Sequence, residues 1–210
     1  NLKAIVVKGS NAPEVPDQDK IKELNKKQLA KIKENGVTGQ GLPTYGTAVL
    51  VNILNELGSF PTDNFQKGSF EGAEEISGET LAEKYLIKRT ACYRCPIGCG
   101  RYVKVGDWEG GGPEYETLWS FGATCGISDM EAIIMANFWC NEMGLDTISA
   151  GATIAAAMEL YQRGLIKEDE LDGIKLEFGN VTDIVEWTKR MGYGQGLGAK
   201  MAMGSYRLAE

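Results

Sequence analysis

The chain has 210 residues, 43% of them hydrophobic, with a formal net charge of −7 and no histidine. This length and apolar content predict one folded domain with a sizeable core, and they exclude a disordered chain. The negative charge argues against nucleic-acid binding, which needs a basic surface. Without histidine, Ser-His-Asp catalysis and H-E-x-x-H zinc sites are impossible within the chain. No stretch of about 18 apolar residues or signal-peptide pattern occurs, so we predict a cytoplasmic protein that binds no membrane.

The first nine residues have the composition of a β-strand, but no partner strand follows nearby. We therefore expect residues 1–9 to be the end of a structure that precedes them, and residues 10–210 to form one helical domain.

A basic helix is predicted next, over residues 20–34, which hold six lysines and two glutamates. Ile21, Leu24, Leu29 and Ile32 fall on one helical stripe. The favoured interpretation is a helix docked by this stripe with its lysines in solvent. A docking patch for an acidic protein partner is the alternative.

Apolar periodicity and capping signals predict the later helices. Capping boxes at Thr80/Glu83 and Ser128/Glu131 predict two helix starts. Further helices are predicted over 49–57, from about Thr147, over 182–191 and over 196–209, with a short strand at 101–105. The fold class is therefore mainly α: an irregular multi-helix domain with one or two short strands.

The most informative chemistry lies in Cys92, Cys95 and Cys99, whose C-x-x-C-x-x-x-C spacing is typical of a metal site. Zinc would need a fourth ligand, and the sequence has no second pair of closely spaced cysteine or histidine ligands. A cubane iron-sulfur cluster fits three close cysteines plus a remote one, supplied by Cys125, Cys140 or a residue beyond the chain. We interpret Cys125 and Cys140 as core residues.

Five segments together resemble the tungsten-containing aldehyde ferredoxin oxidoreductase family. They are residues 1–9, 57–65 (Leu-Gly-Ser-Phe-Pro-Thr-Asp-Asn-Phe), 91–100 (Ala-Cys-Tyr-Arg-Cys-Pro-Ile-Gly-Cys-Gly), 112–118 (Gly-Pro-Glu-Tyr-Glu-Thr-Leu) and 140–151, in the family's order. The resemblance spans nearly the whole chain and identifies it as the middle, helical domain of such an enzyme. By the same resemblance, a β-rich domain ending at residues 1–9 would precede it, and a further helical domain would follow.

The resemblance also implies cofactors, partners and roles. The enzyme would oxidise an aldehyde to a carboxylic acid at tungsten, or molybdenum, held by two pterins. Cys92, Cys95 and Cys99 would bind a [4Fe-4S] cluster, completed by a cysteine of the following domain, and ferredoxin would accept the electrons.

Two further motifs are matched residue by residue. Asn141, Gly144, Leu145 and Asp146 match the family's pterin-contacting D-x-x-G-L-D motif, although Asn141 replaces its first aspartate and cannot supply that charge. Asp146 could equally cap the helix that starts at Thr147.

The resemblance places a functional glutamate in residues 112–118, where Glu116 is the first candidate for hydrogen bonding or proton transfer and Glu114 the second. A solvated acidic loop is the simpler interpretation of this segment. Two functions stay open as alternatives: a stand-alone iron-sulfur electron-transfer or interaction module, and a family member that reduces an acid or an aromatic thioester.

Overall fold

The computed structural model describes residues 4–210. Residues 1–3 of the predicted first strand lie outside the described residues. Residues 4–9 are exposed and pair with no strand in the described part of the chain. Their assignment to a preceding domain therefore stays a prediction.

The described chain is mainly helical, as predicted. Its α-helices are α1 (Gln18–Glu34), α2 (Leu42–Tyr45), α3 (Leu50–Glu56), α4 (Gly78–Lys84), α5 (Tyr115–Thr117), α6 (Met130–Met143), α7 (Thr147–Gln162), α8 (Ile184–Tyr193), α9 (Gly196–Met201) and α10 (Ser205–Leu208). Short 3₁₀ and π-helical turns join several of them, including a π-helical turn at Leu118–Gly122. None of these helices is long and apolar enough to cross a lipid bilayer, over the residues described.

One antiparallel sheet with the order β1 (Leu86–Thr90), β2 (Gly100–Val105) and β3 (Trp108–Gly111) interrupts the helices. The prediction of one or two strands missed β1 and β3, because β1 is largely exposed and β3 is half glycine, so neither carries an alternating apolar pattern. The sheet matters for the site because β1 and β2 flank the three-cysteine segment, and Thr90 pairs with Gly100.

Two predicted helix caps were wrong by a few residues. Helix α4 is capped by Ser77, whose hydroxyl accepts a hydrogen bond from the Thr80 backbone N–H at 3.1 Å. Helix α6 is capped by Asp129, not by its neighbour Ser128, and a carboxylate is the stronger acceptor at a helix N-terminus.

The predicted helix over 196–209 is also wrong, since it is split into α9 and α10. Gly204, with φ of 91°, lies between them in a conformation that no helix residue can adopt.

Within the described chain the stripe on α1 is largely undocked, in contrast to the favoured interpretation, and only Ile32 of its four residues is half-buried. Ile21, Leu24 and Leu29 are 43–45% exposed, and no residue of α1 is buried. The helix contacts the rest of the described chain mainly through the π-helical turn that follows it, at Val37–Gly41. The apolar pattern therefore predicts the helix correctly, but the described residues cover little of its apolar side.

The core lies around α6 and α7, which are apolar on most sides and pack against α8 and the Leu118–Gly122 turn. Cys125 and Cys140 are fully buried in this core, as predicted. Burial raises the pKa of the Cys140 thiol to about 12, and it raises the pKa of the Cys125 thiol further. Both behave as small apolar core residues.

Candidate active site and cysteine loop

The three clustered cysteines lie on the loop between β1 and β2, which we call the cysteine loop (residues 91–99). Cys92 is exposed, Cys95 and Cys99 are half-buried, and none forms a disulfide. The Cys95 N–H donates to the Cys92 carbonyl at 2.9 Å, which makes the C-x-x-C part a tight turn. Among the residues described, no group of three or more Cys, Asp or Glu side chains is gathered as a metal site. The loop supplies the donors that an iron-sulfur cluster needs, and their role as ligands stays a prediction.

Arg101 fastens the base of this loop to the helical domain. Its side chain is buried, with 3% exposure, and its guanidinium donates to the carbonyls of Pro43 (3.2 Å), Thr44 (2.8 Å) and Gly98 (2.6 Å). Burial lowers the pKa of Arg101, although nearby Glu114 acts in the opposite direction. These carbonyl oxygens satisfy N–H groups of the buried guanidinium, which offsets the cost of burying the cation.

The turn after α2 brings the cysteine loop close to the predicted catalytic segment. Gly46 has φ of 67°, and a Cβ there would lie 2.7 Å from the Cys99 carbonyl oxygen, so only glycine fits. The next residue, Thr47, donates its hydroxyl to Glu114 at 2.5 Å and accepts a hydrogen bond from the Tyr115 N–H at 2.8 Å. Gly46 and Thr47, which are adjacent in the sequence, thus contact the cysteine loop and the predicted catalytic segment.

The two candidate glutamates differ in their surroundings. Glu114 is half-buried, and its carboxylate accepts a hydrogen bond from the Thr47 hydroxyl. Glu116 is exposed, and its Oε2 accepts a hydrogen bond from the indole N–H of Trp119 at 2.5 Å. Glu116 is therefore the more accessible of the two carboxylates, and the catalytic role of either stays a prediction.

The Asn141–Asp146 motif forms the junction between α6 and α7. Gly144 ends α6 with φ of 70°, and the Leu145 N–H donates to the Cys140 carbonyl at 2.9 Å. Asp146 caps α7, as one of its two predicted roles requires, by accepting from the Ser149 N–H at 2.8 Å. Asn141, Gly144 and Asp146 are exposed.

A cavity of 160 Å³ opens at this junction, between Leu145, Asp146, Met191 and Met201. Ligand pockets usually measure about 300–1,000 Å³, so this one can receive only an edge of a pterin. The Asp146 carboxylate beside this cavity can accept hydrogen bonds, which suits the N–H groups of a polar ligand.

Short contacts place this junction beside residues 112–119, which we call the glutamate segment. The Thr117 hydroxyl donates to the Thr147 hydroxyl at 2.9 Å, and the Ser120 hydroxyl donates to the Thr147 carbonyl at 3.0 Å. A Cβ on Gly151 would lie 2.6 Å from the Ser120 carbonyl oxygen, so α7 lies as close to this segment as backbone allows. All three predicted site segments therefore belong to one connected framework.

Sequence reasoning missed Thr47, Arg101 and Trp119. Trp119 stands three residues after Glu116, a helical spacing that brings side chains together, so this partner could have been found. Thr47 and Arg101 form hydrogen bonds to residues that lie 67 and 58 positions away in the sequence, so no local pattern predicts them.

Comparison with known proteins supplies the family. Residues 23–210 match the family model described as "Aldehyde ferredoxin oxidoreductase, domains 2 & 3". The chain belongs to the aldehyde ferredoxin oxidoreductase family. The predicted family is thereby confirmed, and with it the predicted helical type of fold.

Relatives in this family include two proteins named tungsten-containing aldehyde ferredoxin oxidoreductase. The one from Pyrococcus abyssi is 50% identical over 216 residues and the one from Thermococcus kodakarensis 50% identical over 213. Both alignments include the whole of this chain and 35% of the relative, so the chain spans about a third of the length of these relatives. A WOR-like subunit of an aliphatic sulfonate oxidoreductase from Pyrococcus furiosus is 32% identical, over 34% of its length.

A solved structure of the active-site complex BamBC of benzoyl coenzyme A reductase, in complex with 1,5-dienoyl-CoA, has the same fold. Its TM-score is 0.66 at 20% identity, over 89% of this chain and 30% of the other. At this identity the likeness concerns the fold alone.

Proposed function

We propose that this aldehyde ferredoxin oxidoreductase family chain is part of an enzyme that oxidises an aldehyde to a carboxylic acid at a tungsten-bispterin centre. Its electrons would pass through a [4Fe-4S] cluster to ferredoxin. The observation that carries this proposal is the match of the whole chain, at about half identity, to relatives named for tungsten, aldehyde and ferredoxin. The connected framework around Glu116 supports it.

The donor sets of this chain fit the proposed cofactors in chemistry. Cys92, Cys95 and Cys99 are unpaired thiols on an accessible loop, as iron-sulfur ligands must be before a cluster binds. Gly144 at the end of α6 and Asp146 at the start of α7 expose backbone and a carboxylate to solvent, which suits the hydrogen-bonding edge of a pterin. The remaining ligands would come from other parts of the enzyme.

The proposed reaction converts RCHO and H₂O into RCOOH, two protons and two electrons, and the electrons reduce two molecules of oxidised ferredoxin. When bound, the tungsten centre supplies the two-electron oxidation. The chain's own contribution is proton transfer and orientation. Trp119 occupies Oε2 of Glu116, so Oε1 would take a proton released from the water or the aldehyde carbon.

The test is Glu116→Gln in the full-length enzyme. Glutamine keeps the shape of the side chain and an oxygen for Trp119, but it cannot take up a proton. We expect kcat for aldehyde oxidation to fall by about 10²–10⁴-fold, the usual contribution of a general acid or base. Glu109→Gln, at an exposed position on β3, is the matched control and should leave kcat unchanged. A kcat within about threefold of the wild type for Glu116→Gln would remove Glu116 from the mechanism.

Metal content separates this proposal from a stand-alone electron-transfer module. The full-length protein should contain both iron and tungsten, or molybdenum in its place, whereas an electron carrier would contain iron alone. Running the assay with a carboxylic acid or an aromatic thioester and reduced ferredoxin tests the reductive alternative.

A further inference from the structure

The loop at Asp63, Asn64 and Phe65 holds an unusual backbone. All three residues have positive φ, at 48°, 50° and 65°. Asp and Asn tolerate the left-handed region, but for a bulky residue such as Phe it is an outlier. Residues held in strained conformations persist only where the surroundings fix them, and they concentrate at functional sites.

Several contacts fix this loop. The backbone N–H groups of Asp63 and Asn64 donate to the carbonyls of Ala123 (3.0 Å) and Thr124 (2.9 Å), and the Asn64 amide donates to Glu159 at 2.6 Å. These bonds hold the loop against the end of the Leu118–Gly122 turn.

Phe65 is nevertheless 62% exposed. Burial of its ring therefore contributes little to folding and does not account for the strain.

Among the residues described, the ring of Phe65 contacts that of Trp119. Their centroids lie 5.9 Å apart at an interplanar angle of 65°, an edge-to-face contact. Trp119 is the partly exposed residue of the π-helical turn Leu118–Gly122, in which the other four residues are buried. Such π-helical turns are frequent at functional sites. The same Trp119 donates its indole N–H to Glu116.

We propose that Phe65 and Trp119 form an aromatic wall beside Glu116 that binds the apolar side chain of the aldehyde, and that Trp119 also positions the Glu116 carboxylate. This inference rests on the proposed function. Its consequence is selectivity, because an aromatic aldehyde can pack a ring against the two side chains, while the single methyl group of acetaldehyde offers much less apolar surface to them. The hydrogen bond from Trp119 to a charged acceptor fixes the direction of Oε1.

The experiment compares benzaldehyde with acetaldehyde in the full-length enzyme. Phe65→Asn removes the ring but keeps a residue that accepts the left-handed backbone, so the variant should unfold at the same or a higher temperature. We expect its KM for benzaldehyde to rise about tenfold, the value of one good aromatic contact. The KM for acetaldehyde should stay unchanged. Phe65→Tyr should restore the wild-type KM.

Trp119→Phe separates the two roles of Trp119. This variant keeps an aromatic ring and loses the N–H donor, so kcat should fall for both aldehydes while the KM for benzaldehyde stays close to that of the wild type. Tyr206→Ala, which removes an exposed ring on α10, is the control and should change neither constant.

Equal changes for both aldehydes in Phe65→Asn, or none, would overturn the aromatic wall even if the enzyme oxidises aldehydes. An unchanged kcat in Trp119→Phe would overturn the positioning role. A wild-type enzyme that oxidises neither aldehyde would refute the proposed function, and the aromatic wall with it.

Discussion

The cysteine loop and the glutamate segment (residues 112–119) are built in opposite ways. The cysteine loop is fixed at its base, by the Thr90–Gly100 strand pair and by Arg101, while its thiols remain without a gathered site in the described chain. In the glutamate segment the carboxylates already have partners, Thr47 and Trp119. Within the described chain the carboxylates thus have hydrogen-bond partners, whereas the cysteine loop has a fixed base and three thiols that form no disulfide.

The largest effect is expected from Cys95→Ser in the full-length enzyme. If the cysteine loop is a ligand set, a hydroxyl in place of a thiolate should leave the cluster unformed, because the thiolate is the ligand that iron-sulfur clusters require. Iron per protein should fall sharply, and reduction of ferredoxin should become undetectable. Iron analysis and electron paramagnetic resonance of the reduced protein measure this.

Cys140→Ala serves as the matched cysteine control. Its thiol is buried in the core, so the variant should retain all its iron and lose only about 1–2 kcal/mol of stability through the small cavity it leaves. A Cys95→Ser enzyme with wild-type iron content would show that the loop binds no cluster.

A smaller but clear effect is expected for Arg101→Met, which tests the base of the loop. Methionine leaves the carbonyls of Pro43, Thr44 and Gly98 without their donor, and the loss at the buried Gly98 carbonyl alone should cost about 1–3 kcal/mol. The melting temperature should fall, and the loop should become sensitive to limited proteolysis.

Arg89→Met, an exposed change on β1, provides the comparison for Arg101→Met and should shift stability by no more than about 0.5 kcal/mol. Equal melting temperatures for the two variants would mean that Arg101 does not hold the loop.

Sequence reasoning succeeded where the deciding interaction is local. The cap of α7 at Asp146, for example, depends on an acceptor only three residues before its donor. Sequence reasoning failed where the structure of a segment depends on a partner that is distant in the sequence. Nothing near Leu86–Thr90 marks it as a strand until Gly100–Val105 lies beside it. At α4, two hydroxyls compete to cap the same helix start, and Thr80 instead donates its hydroxyl to the Glu74 carbonyl, which leaves the cap to Ser77.

The smallest effect is expected for Glu114→Gln, which tests whether the two glutamates really differ. Glutamine can still accept the hydroxyl of Thr47, so stability should fall by less than about 1 kcal/mol. Because Glu114 is turned into the framework and Glu116 faces solvent, kcat for aldehyde oxidation should stay within about twofold of the wild type. Steady-state kinetics of Glu114→Gln, measured in parallel with those of Glu116→Gln, test this prediction. If both variants lose activity to the same degree, the segment acts as a pair of carboxylates, and the division between a supporting and a reacting glutamate fails.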